Sequence, residues 1–94
     1  MQDERKPVPL PIEGTLDLHT FQPREAMAVL EAFLEESRLR GWREVRIVHG
    51  KGTGAMREQV IAHLKRSPLV ESSRSGDETS GSWGATLAVL KPKR

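Results

Sequence analysis

The chain has 94 residues and a net charge of +2. That length suits one small domain burying about 60–65% of its unfolded surface, without room for a second. It holds no cysteine, which excludes disulfides, thiolate metal sites and a thiol nucleophile and fits a cytoplasmic protein. No apolar run approaches a membrane span, and Met1-Gln2-Asp3-Glu4-Arg5-Lys6 is unlike a signal peptide, so no membrane association is expected.

Residues 1–13 read as an extended arm, because the alternate prolines of Pro7-Val8-Pro9-Leu10-Pro11 forbid helix. A domain is expected over 14–90, followed by a basic tail over 91–94. Gly14 opens a strand, Thr15-Leu16-Asp17-Leu18-His19, whose alternation turns Leu16 and Leu18 one way and Asp17 and His19 the other. Thr20 is the expected N-cap of a helix from Pro23 to Arg40, with Ala26, Leu30, Phe33 and Ser37 on one stripe, ended by Gly41. A more buried strand follows over Glu44–His49. A second helix spans Ala55–Ser67, with Met56, Val60 and Leu64 inward and His63 at the surface; Pro68 stops it. A weaker strand covers residues 69–74, a polar turn 75–81, and a last strand 83–90.

Between the second strand and second helix lies Val48-His49-Gly50-Lys51-Gly52-Thr53-Gly54-Ala55. Three alternate glycines leave backbone N–H groups bare to an approaching anion, and the helix that follows aims its positive dipole end at the same place. Lys51, Thr53 and Arg57 add a cation, a hydroxyl and a guanidinium. The spacing fits neither a P-loop nor a dinucleotide fingerprint. Two readings stay open at this point, a phosphate cradle and a plain strand-to-helix turn. From Arg38 through Arg66 eight basic residues face only Glu44 and Glu58, a local excess of six positive charges. Such a stretch around the loop is the footprint expected of a polyanion binder, or else a solvated basic face.

The order β-α-β-α-β-β predicts an α/β two-layer sandwich: a mixed four-stranded sheet with two helices on one face and the other face partly open. The two helical crossovers imply parallel pairing and the final hairpin antiparallel pairing. Asp17 and His19 then share the open face with Cβ atoms roughly 6–7 Å apart. A carboxylate so near an imidazole orients it and suits it to acid/base work; an ordinary exposed ion pair is the plainer alternative. Ligands of open α/β sheets gather beyond the carboxyl ends of parallel strands. If the first two strands are neighbours, the pair and the loop converge there. Parity with Val45 and Ile47 points His49 toward the helices, as a cap or packing residue as readily as a chemical one.

Leu16-Asp17-Leu18-His19, then His49-Gly50-Lys51-Gly52-Thr53-Gly54, then a helix and a closing Gly81-x-x-Gly84-Ala85-Thr86 strand together resemble the Smr (small MutS-related) domain, over about residues 14–90. The resemblance implies a stand-alone, single-domain member with a fold similar to the C-terminal domain of translation initiation factor 3. It implies nucleic-acid binding, often with endonuclease activity on RNA or DNA, and in several branches a link to ribosomes. It assigns Asp17 and His19 as the catalytic pair. It assigns His49, Gly50, Gly52 and Gly54 as the substrate loop, to which Lys51, Thr53 and Arg57 are added on their chemistry. Thr20 departs from the glycine that many members carry after the histidine.

Two mechanisms suit the pair. On RNA, His19 would deprotonate a 2′-hydroxyl while the loop and Lys51 stabilise the phosphorane, and no cofactor is required. On DNA, water must be activated, which calls for Mg or Mn. The scarcity of clustered carboxylates favours the RNA route. The rival is a non-catalytic module that docks on structured RNA such as ribosomal RNA. The expected partner is RNA or DNA, and a monomer is expected.

Overall fold

The computed structural model describes residues 12–50, 54–76 and 84–92. The proline arm, the loop centre at 51–53, the turn with Asp77, Glu78 and Trp83, and the last two residues of the tail lie outside them.

The elements run β1 (Gly14–Asp17), α1 (Pro23–Leu39), β2 (Glu44–Val48), α2 (Ala55–Arg66), β3 (Val70–Ser75) and β4 (Ala85–Leu90). They form a four-stranded sheet in the order β1-β2-β4-β3. β1 pairs parallel with β2, and β4 pairs antiparallel with both β2 and β3. The mixed sheet is the one predicted, with one change. β3 runs in the direction of β2 but does not pair with it, because β4 inserts between them. Nearly every residue of β4 is apolar and buried, which suits a central strand covered on both sides.

One buried cluster joins both helices to the same side of the sheet: Leu18, Ala26, Leu30, Leu34, Val45, Ile47, Val60, Leu64, Ala88 and Leu90. On the opposite face, Leu87 is buried as well. It stands in register between Arg46 and Arg74, and aliphatic stems of that kind cover apolar surface.

Three local details differ from expectation. The N-cap of α1 is Gln22 rather than Thr20; its N–H donates to the Glu25 carboxylate at 3.4 Å, with Pro23 at the first helical position. Thr20 is occupied instead in a turn that Phe21 N–H closes onto the Leu18 carbonyl at 3.0 Å. His63 is not a free surface group, since its Nε2 meets Glu31 at 2.7 Å and ties α2 to α1. The strand of Asp17 and His19 is also shorter, so that His19 sits in the turn just beyond β1.

Gly14 opens β1 where the Trp42 ring lies against it. A Cβ there would stand 2.3 Å from a ring carbon, so no larger residue fits without moving the indole. No helix among the described residues is long and apolar enough to cross a membrane.

Candidate active site

The parallel pairing of β1 and β2 brings their carboxyl ends together. Leu18 N–H continues the ladder onto the Val48 carbonyl at 2.7 Å, and the next residues on the two chains are His19 and His49-Gly50. Gly50 has φ +82, and a Cβ built on it would lie 3.3 Å from the Cβ of His19. The turn after β1 and the entry to the glycine loop are therefore in contact.

Asp17 Oδ1 accepts twice from His19: from the backbone N–H at 3.0 Å and from ring Nδ1 at 2.5 Å. Both side chains are about half exposed. The ring hydrogen bond first, and the backbone N–H second, hold the Asp17 carboxyl below the usual carboxylate range. An ionised carboxylate only accepts, so Nδ1 must carry the proton. That leaves Nε2, which has no hydrogen-bond partner among the described residues, with its lone pair toward solvent. Asp17 and His19 are thus both open to solvent as expected, Asp17 from the strand and His19 from the turn after it.

His49 is built the opposite way. It is 4% exposed and turned to the helix side. Nδ1 donates to the Gly50 carbonyl at 3.1 Å, and Nε2 accepts from the Thr86 hydroxyl at 2.9 Å. Burial pushes its pKa down, the Gly50 carbonyl partly opposes this, and the Arg57 charge lowers it further. With both nitrogens engaged, the ring ties the entry to the loop to β4. The backbone is held as well, since His49 and Gly50 N–H both donate to the Gly84 carbonyl at 2.9 Å. Thr86 had a signal in the sequence, as one hydroxyl in an apolar strand, but its partner depends on the β2–β4 register.

Of the other loop residues, Gly54 is the N-cap of α2 in the left-handed region, φ +91. Lys51, Gly52 and Thr53 lie outside the described residues. Arg57, in the first turn of α2, reaches Ser75 Oγ at the end of β3, 3.4 Å away.

Both ends of the basic stretch lie away from this site. Arg38 bonds the Pro92 carbonyl, Arg40 pairs with Glu36 and overlies Trp42, and Arg43 binds the Leu90 carbonyl and Glu71. All three lie at the opposite end of the sheet, one β2 length away, roughly 16 Å. Lys65 and Arg66 end α2, about 18 Å from its start. Among the described residues no group of three or more His, Asp or Glu forms a metal-binding cluster. Asp17 has one of its oxygens committed to His19.

The model of a protein family described as "Smr domain" matches residues 16–91. The chain is similar to endonuclease MutS2 of Fusobacterium nucleatum, 38% identical over 81 residues, 86% of this chain and 10% of that protein. It is 41% identical to endonuclease MutS2 of Staphylococcus carnosus over 80 residues, 85% of this chain and 10% of that one. It thus spans about a tenth of the length of these relatives. The solved Smr domain of Thermus thermophilus MutS2 matches with a TM-score of 0.81 at 35% identity, over 84% of this chain and 99% of that one. YdaL, a stand-alone small MutS-related protein of Escherichia coli, matches in fold with a TM-score of 0.80 at 24% identity, over 86% of this chain and 66% of that one.

Proposed function

The chain belongs to the Smr domain family, and on that premise we propose that it is an endonuclease cleaving RNA phosphodiester bonds with His19 as the base. The observation that carries the proposal is the Asp17–His19 hydrogen bond, which orients the ring and leaves Nε2 outward on a residue whose Cβ adjoins Gly50. The MutS2 relatives are named endonucleases, which supports nuclease-type chemistry.

In the reaction, Nε2 takes the proton of a 2′-hydroxyl. The 2′-oxygen forms a bond to phosphorus, the bond to the 5′-oxygen breaks, and that oxygen leaves with a proton from water, whose hydroxide takes back the proton held by the His19 imidazolium. The products are a 2′,3′-cyclic phosphate and a 5′-hydroxyl. Asp17 stabilises the imidazolium as it forms. Gly50 N–H is held by the Gly84 carbonyl, so the backbone of Gly52 and Gly54, with Lys51, Thr53 and Arg57, holds the phosphate and its growing charge. No metal ion enters this route; Mg or Mn would serve a DNA substrate, which has no 2′-hydroxyl of its own.

The test uses labelled single-stranded RNA and supercoiled DNA, each with and without chelator. RNA cleavage is expected to persist in chelator and to leave 2′,3′-cyclic phosphate ends. His19→Ala and Asp17→Asn are expected to lower its rate by about 10²–10⁴ while RNA binding is kept. RNA binding with no cleavage by the wild-type chain would sink the nuclease reading in favour of an RNA- or ribosome-binding module.

A further inference from the structure

Three large apolar side chains are exposed among the described residues: Ile12, Phe21 and Leu39. Ile12 precedes β1, and Leu39 ends α1 about 25 Å of helix from its start, so both lie at the end of the sheet away from His19. Phe21 does not. It is 38% exposed and closes the same turn that carries His19.

Phe21 precedes the N-cap Gln22, where an apolar residue commonly packs against the fourth helical residue. Here that residue is Ala26, whose single methyl is too small to cover a phenyl ring. Three residues on, Arg24 stands exposed in the first turn of α1, where a cation opposes the helix dipole. An aromatic ring more than a third exposed and a cation set against the helix dipole thus lie three residues apart at the edge occupied by His19. Departures from local preference of this kind concentrate at functional sites.

We infer that Phe21 is a stacking platform for one unpaired base next to the phosphate handled at His19, and that Arg24 contacts the adjoining backbone phosphate. The substrate class follows from the chemistry. A base held in an A-form helix is already stacked on its neighbours and offers no free face, whereas an unpaired base does. The turn therefore selects single-stranded over duplex RNA. This rests on the nuclease reading and adds to it the strandedness of the substrate.

The experiment measures fluorescence anisotropy of a labelled mixed-sequence single-stranded RNA and a blunt RNA duplex. The protein is the His19→Ala chain, with cleavage by the wild-type chain assayed in parallel. Phe21→Leu keeps an apolar side chain at the helix start, so thermal melting should be unchanged. It should weaken single-strand binding about tenfold and leave duplex binding alone. Phe21→Trp should retain single-strand affinity and show quenching of its added indole emission on binding. Arg24→Gln should flatten the salt dependence of single-strand binding by roughly 0.7 in the log–log slope. Equal binding by Phe21→Leu and its parent, or equal loss on both RNAs, overturns the inference and leaves the nuclease reading standing. Failure of the wild-type chain to cleave and of its parent variant to bind either RNA overturns both.

Discussion

Two histidines at the ends of neighbouring strands are set to opposite tasks by their surroundings. His19 is exposed and held by an ionised carboxylate, which fixes its proton on Nδ1 and presents Nε2. His49 is buried, donates to a carbonyl and accepts from a hydroxyl, an arrangement only the neutral ring can make. Because burial lowers the His49 pKa in the fold, the unfolded chain takes up a proton near the ordinary value of about 6.5 that the folded chain refuses. Stability is thus complete above that pH and falls as the pH drops through it toward the lower folded value. Thermal melting followed from neutral to mildly acidic buffer should show this loss in the wild-type chain and a flatter profile in His49→Asn. His49→Ala should cost about 1–3 kcal/mol at neutral pH, since the buried Thr86 hydroxyl loses its partner. The direction of the His49 ring was legible in the parity of Val45, Ile47 and His49. Its partner was not, because Thr86 is 37 residues away and is delivered by strand register.

At the scale of elements, two glycines separate stability from chemistry. Gly14 has no room for a Cβ because the Trp42 ring lies 2.3 Å from that position. Gly14→Ala should therefore destabilise the fold by about 1–3 kcal/mol through overpacking, while the stable fraction cleaves normally. Gly50 has a positive φ and nearly touches His19. Gly50→Ala should cost about 1 kcal/mol in backbone strain and lower cleavage more than Gly14→Ala does, because it displaces the turn that carries His19. Urea melts and single-turnover cleavage of the two variants would show whether the effects divide this way. Both helices and all four strands could be read from periodicity, Gly41 and Pro68 supplying the stops, whereas on α1 Leu34 rather than Phe33 takes the buried position between Leu30 and Ser37. The separation of β2 from β3 could not. A helical crossover prescribes strand direction, and whether the following hairpin strand slips between them is settled by which strand is apolar on both faces.

For the molecule as a whole, charge adjacent in sequence is not charge adjacent in space. The stretch from Arg38 to Arg66 runs up β2 to the loop and back down α2, so its two ends are carried away from the site they bracket. Arg38, Arg40 and Arg43 also hold intramolecular partners at that far end. Replacing Arg38 and Arg40 together by Gln should leave the salt dependence of RNA binding unchanged, whereas Lys51→Ala should flatten it by about one phosphate contact. A change of slope in the double variant would place the far end of the sheet in the interface.

The fold class, the pairing of Asp17 with His19 at the end of the first strand, and the glycine loop were all written in the amino-acid order, because periodicity, proline and glycine act locally and short motifs carry their own geometry. That β1 and β2 are neighbours, that Gly50 lies against His19, and that His49 bonds Thr86 emerged from the packed fold. So did the exposure of Phe21 at the same edge. Each of these depends on contacts between residues far apart in the chain, where register and packing choose among arrangements that local preference leaves equal.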